Sequence, residues 1–186
     1  MSPPAAVLDA CVLYSASLRD LFMWLADAKL YHPKWTEQIH QEWIESLLKN
    51  RPDLTWAKLG RTRHLMNLRA ENSLVEGYEY RIAALALPDA NDRHVLAAAI
   101  EAGAPLIVTF NLSDFPKQIL INYGIEAQHP DVFLSNLLDQ NEEAFLGTLQ
   151  KMITALKNPP RTLAQQLDVL RGQGLTKTAT RIANKR

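Results

Sequence analysis

With 186 residues, 47% of them apolar and 22% charged, and a formal net charge of zero, the chain is long enough for one domain with a real core and too ordinary in composition for a disordered or fibrous protein. Its 7 glycines form no G-x-G-x-x-G or phosphate-loop pattern, which argues against nucleotide-cofactor folds, and no apolar run approaches the ~20 residues of a membrane span. The lone Cys11 excludes an internal disulfide and "MSPPAAVLDACVLY" lacks the basic region of a signal peptide, so a cytoplasmic protein with no membrane partner is expected.

In chain order, "AAVLD" (5–9) is a short apolar run ending in an acid and predicts a buried strand. Residues 14–28 place Leu18, Leu21, Phe22 and Leu25 on one helical stripe. "AKLYHP" (28–33) predicts a second strand, closed by Pro33. Thr36 is a natural N-cap for a helix carrying Ile39, Trp43 and Leu47 on one face, with Asn50, Arg51 and Pro52 as its stop. Residues 53–72 form another helical stretch, and 79–88 are mixed strand or loop ending at Pro88. A helix over about 90–102 ends at Gly103. "PLIVTF" (105–110) is the clearest strand, 113–124 give a turn and short helix, and "IEAQ" is a candidate last strand. From "HPDVFL" onward the pattern is helical: 130–139, 142–157, 162–171 and 175–184.

Strands alternating with helices predict a parallel sheet covered on both faces. Functional residues in such sheets gather at the carboxyl ends of the strands. Several acids fall there. Asp9 closes the first strand; Asp114 follows the strand at 105–110, with Thr109 and Asn111 between; Asp89 and Asp92 open the helix before that strand; Glu42 borders the apolar face of its helix. Each has a bland alternative. Asp89 reads as an N-cap and Asp92 as an N3 acid complementing the helix dipole. Glu42 reads as a surface acid and Asp114 as a turn residue. Asp9 is the hardest to explain away, because a carboxylate on a buried central strand is costly unless paired or metal-bound. Together, acids at one sheet edge with no basic partner nearby in sequence would repel one another. A hard divalent cation such as Mg2+ removes that conflict, and such a site suits phosphodiester hydrolysis.

These residues resemble the PIN-domain ribonucleases, and among them the VapC-type toxins of bacterial toxin–antitoxin pairs, over about residues 5–128. "VLDACVLYS" is similar to the family's first-strand motif, "EQIHQEWI" to its helix with the second acid, at Glu42, and "LPDANDRHVLAAAI" followed by "PLIVTFNLSDFP" to its third and fourth acidic positions. The register of the alanine-rich helix selects Asp92 as the third acid, with Asp89 as an extra one. Cys11 stands where the family usually has Ser or Asn, and Asn111 where many members have Asp, which passes the fourth charge to Asp114. The resemblance implies a three-layer α/β/α sandwich with a parallel sheet over 1–129 and a helical C-terminal extension over 130–186. It implies cleavage of RNA with Mg2+ or Mn2+ held by Asp9, Asp92 and Asp114, with Glu42 orienting a water or second ion, and an antitoxin that blocks the site. Homodimers are common in similar proteins. The competing reading is a non-catalytic acidic pocket that binds an ion or a partner, as in receiver-like domains.

Charge is unevenly spread. From residue 150 onward there are eight basic residues and one acid, Asp168, for a net of +7, which leaves −7 on residues 1–149. This tail predicts either an anionic partner or a solvated, frayed end. The stretch "TWAKLGRTRHLMNLR" (55–69) is a candidate RNA surface through Arg61 and Arg63, and Arg93 a candidate phosphate contact. The 5 histidines show no metal-ligand spacing, and His94, two residues after Asp92, is expected to point elsewhere, to solvent or a surface hydrogen bond.

Overall fold

The computed structural model describes residues 3–185. Among them four strands, β1 (Ala5–Leu8), β2 (His32–Lys34), β3 (Leu106–Val108) and β4 (Glu126–Gln128), form one wholly parallel sheet in the order β2-β1-β3-β4. Ala6, Val7 and Leu8 are consecutive, so their side chains alternate between faces, yet all are fully buried; Ile107 and Val108 repeat the pattern. Both faces of the central strands are therefore covered, as expected of an α/β/α arrangement.

The first helices are α1 (Ala10–Tyr14), α2 (Ala16–Asp27), α3 (Glu37–Asn50), α4 (Trp56–Arg69) and α5 (Glu79–Ile82). α6 (Arg93–Glu101) packs against β1 and β3, and α7 (Lys117–Leu120) precedes β4. The helix expected over 14–28 is α2, and the short α1, not expected from the sequence, precedes it. Asp9 caps α1 through Oδ1, which accepts the Ala10 N–H at 2.6 Å, and Ser15 caps α2 by accepting the Leu18 N–H. β2 begins later than predicted because residues 28–31 turn, with Lys29 at φ 58°. Residues 79–88, expected as strand or loop, open with the short helix α5. Thr36 caps α3 as expected, its hydroxyl accepting the Ile39 N–H at 3.1 Å. Gly103, at φ 58°, makes the left-handed turn that ends α6 and leads into β3.

The C-terminal helices follow the predicted boundaries closely: α8 (Pro130–Gln140), α9 (Glu142–Ala155), α10 (Leu163–Gly172) and α11 (Thr176–Asn184). They share the core with the body of the protein. Phe133 of α8 stacks on Phe22 of α2 at 5.9 Å and meets Tyr31 edge-on at 5.2 Å, and α9 lies along α2. α11 is docked against α8. The Asp131 carboxylate accepts the Lys177 and Thr178 N–H groups at 2.9 and 2.7 Å, and Ser135 and Thr178 share a buried hydroxyl hydrogen bond. Arg181 pairs with Asp139 and Lys185 with Glu142. The frayed-tail expectation is thus corrected: Thr178, Ala179 and Ile182 are buried, and the tail's charge is partly neutralised inside the extension. Arg186 lies outside the described residues.

The cap and the ion pairs of α11 should not count equally. Asp131→Ala leaves two helix N–H groups without their acceptor and should cost about 1–2 kcal/mol in urea unfolding. Arg181→Ala removes a half-exposed pair and should cost under about 1 kcal/mol. Equal losses would show that charge, not capping, holds the last helix.

Candidate active site

Asp9 sits one residue beyond β1, where its N–H donates to the Val108 carbonyl at 3.1 Å and continues the ladder to β3. That places it beside Thr109, one residue beyond β3. Asp9 is buried, and both of its oxygens are engaged. Oδ1 accepts from Ala10; Oδ2 accepts the Thr109 hydroxyl at 2.7 Å and the Cys11 thiol at 3.2 Å. Burial and the neighbouring Asp9 charge push the Cys11 thiol up to about 12, so it stays protonated and able to donate. Cys11 also accepts the Phe110 N–H at 3.4 Å, and the Thr109 hydroxyl accepts the Asn111 N–H at 3.0 Å. One small network therefore locks the carboxylate, the two strand ends and the following loop.

The other acids reach this edge from two turns. Asp89 accepts the Asn91 N–H at 2.8 Å and caps a 3-10 turn over Ala90–Asp92, which runs into α6 and carries Asp92. A second 3-10 turn, Leu112–Asp114, follows Asn111 and carries Asp114. These acids share a field. The Asp92 carboxyl is raised to about 6, first by partial burial and then by the charges of Asp9, Asp89 and Asp114, with His94 opposing. Among the described residues none of these four aspartates has a Lys or Arg partner.

Glu42 enters from α3. Its Oε1 lies 2.9 Å from Nε2 of His94 and accepts from Gln38 at 3.2 Å. This corrects the expectation for His94, which is 3% exposed rather than on the surface. Residues 94–99 of α6 are all buried, more than a full turn, so position 94 has no solvent face to occupy. The structure thus gathers Asp9, Asp89, Asp92, Asp114, Thr109 and Asn111 at one edge and ties Glu42 to it through His94. Among the described residues no three His, Cys, Asp or Glu side chains are grouped closely enough to hold a metal ion between them. Both Asp9 oxygens are already hydrogen-bonded. Mg2+ needs only one or two direct carboxylates with waters completing its shell, and this all-oxygen set with uncompensated charge fits such an ion.

The basic candidates divide. Arg63 pairs with Glu37 at 3.0 Å. Arg61 is exposed on α4, and Arg93 bends back so that its Nε donates to the Ala90 carbonyl at 2.9 Å.

Over 120 residues the chain is 41% identical to a Mycobacterium tuberculosis protein described as "Putative ribonuclease VapC50", an alignment spanning 62% of this chain and 70% of that protein. The chain belongs to the VapC-type PIN toxin family. A family model described as the VapC50 C-terminal domain matches residues 130–184, beginning at the first residue of α8. No solved structure matches the chain. In this family member the partners that sequence reasoning missed are His94 and the positive role of Cys11. The unbroken buried run behind His94 was the signal for the first. For Cys11 there was none beyond its place two residues after Asp9.

The raised Asp92 carboxyl has a stability consequence with a definite sign. The folded state holds its proton up to about 6 while the unfolded chain releases it near 3.8. Stability of the metal-free protein should therefore fall as pH rises from about 4 to about 6 and then level off. Asp92→Asn should raise the melting temperature at pH 7 and leave it unchanged below pH 4. A variant that is no more stable at pH 7 would show that the acid is not under repulsion.

Proposed function

We propose that this protein is a Mg2+-dependent endoribonuclease that hydrolyses RNA phosphodiester bonds, and that it is the toxin of a toxin–antitoxin pair. The observation that carries the reading is the cluster of Asp9, Asp92 and Asp114 at the carboxyl edge of the sheet. Among the described residues it has no Lys or Arg partner, and partial burial first, then the shared charge, raises Asp92 to about 6. The relative's description as a ribonuclease supports the same reading.

Asp9, Asp92 and Asp114 would hold Mg2+, or Mn2+ in its place, directly or through water, with Asn111 assisting. Such an ion supplies an activated water and positive charge against the scissile phosphate. The chain's own groups do the positioning. Thr109 and Cys11 fix Asp9, the Asp89 cap presents Asp92, and His94 fixes Glu42, which would orient a water or help hold a second ion. Water is the nucleophile, so no covalent enzyme intermediate forms. Arg61 and Arg93 would meet RNA phosphates, whereas Arg63, paired with Glu37, would contribute less. A cognate antitoxin would act by covering this edge.

Asp9→Asn should abolish RNA cleavage while leaving a cooperative unfolding transition, and EDTA should do the same to the unaltered protein. Cleavage that survives either treatment would sink the metal-nuclease reading. Asp92→Asn should also damage cleavage far more than Asp89→Asn, since Asp89 serves as the cap. The reverse order would exchange their roles.

A further inference from the structure

Phe110 lies between the two residues that set the site. Thr109 before it bonds Asp9, and Asn111 after it bonds the Thr109 hydroxyl. The Phe110 ring, however, lies against the N-cap of the first helix of the C-terminal extension and beside the turn before its last helix. It meets the His129 ring edge-on at 4.9 Å and an 85° angle, and a Cβ placed on Gly174 would come within 3.9 Å of its Cε1. His129 and the Gly174 turn belong to one connected structure. His129 caps α8, its Nδ1 accepting the Asp131 N–H at 3.1 Å, and the Asp131 carboxylate holds the first turn of α11. Gly174, at φ 80°, makes the left-handed turn that leads into α11. The strand side of the same loop is tied as well, since the Thr109 N–H donates to the Gln128 carbonyl one residue before His129.

We propose that Phe110 is a positioning residue through which the C-terminal extension braces the 109–111 loop, and with it the Thr109 hydrogen bond that orients Asp9. The extension is then part of the apparatus of cleavage and not an appendage to it. This inference rests on the nuclease reading above for its catalytic consequence, but the bracing is measurable without metal or RNA. A loosened loop displaces Asp9 and Asn111 without touching substrate, and small misplacements of that kind cost on the order of tenfold to a hundredfold in rate.

Three variants separate the brace from general stability. Phe110→Ala removes the ring, Phe110→Leu restores apolar volume, and His129→Asn keeps a helix-capping oxygen while removing the imidazole. Amide hydrogen exchange in the metal-free protein, Mn2+ titration, and kcat and KM on RNA are measured for each. Phe110→Ala and His129→Asn should speed exchange at the 110 and 111 amides while β1 and α6 stay protected. They should also weaken Mn2+ binding and lower kcat about tenfold or more with KM little changed, and Phe110→Leu should recover most of the loss. Unchanged exchange at 110 and 111 in folded Phe110→Ala and His129→Asn would overturn the proposal, as would acceleration spread evenly over the whole chain. Local acceleration in a protein whose cleavage survives Asp9→Asn would uphold the brace and remove the nuclease reading instead.

Discussion

The structure turns on the burial of one carboxylate. Asp9 stands at the end of a strand whose preceding three residues are completely shielded from solvent, a place where an unpaired charge is costly. The protein meets that cost with hydrogen bonds: a helix N–H, a hydroxyl and a thiol converge on the two oxygens. None of these donors is a cation, so the negative charge is solvated but not neutralised. The neighbouring aspartates add to it, and after the larger effect of partial burial their charge raises the Asp92 carboxyl. A fold built only for stability would place a lysine or arginine here. Leaving the charge open is the kind of local conflict that marks a functional site.

The fold was largely legible in the sequence because its signals are local. The C-terminal helices showed their breaks at Pro159-Pro160 and Gly172/Gly174, and the buried strands showed unbroken apolar runs. Errors arose where tertiary contacts override pattern. The unexpected α1 starts because Asp9 caps it, and Ser15, capping α2, separates the two helices. Asp9 closes a strand, caps a helix and lines the acidic edge, and a one-dimensional reading tends to give it a single task.

The site was legible as a set of acids but not as a network. Placing Asp9, Asp92, Asp114 and Asp89 together needed only the rule that strand ends converge. Recognising that Glu42 is anchored by His94 needed the knowledge that α6 is enclosed on all sides, which its alanines imply only once the helix is seen between sheet and neighbours. Cys11 illustrates the same limit from chemistry. A thiol is a weak donor, yet when burial and a neighbouring carboxylate keep it protonated it can donate to Asp9 while accepting the Phe110 amide.

The basic C-terminal segment shows why composition alone misleads about partners. Its +7 charge looks like a surface waiting for an anion, but Arg181 and Lys185 close ion pairs onto Asp139 and Glu142, and Arg171 onto Asp168. Two of these pairs tie α11 to residues at the end of α8 and the start of α9, so part of the charge asymmetry between body and tail is resolved within the extension. Exposed pairs of this kind contribute little individually. Their effect is to bias which face α11 presents, while Asp131 and the buried Thr178 set where it starts. Gly174, two residues before that helix, lies beside the Phe110 ring. The proposed brace would thus tie the acidic edge, through capping and packing more than through charge, to helices some sixty residues further along the chain.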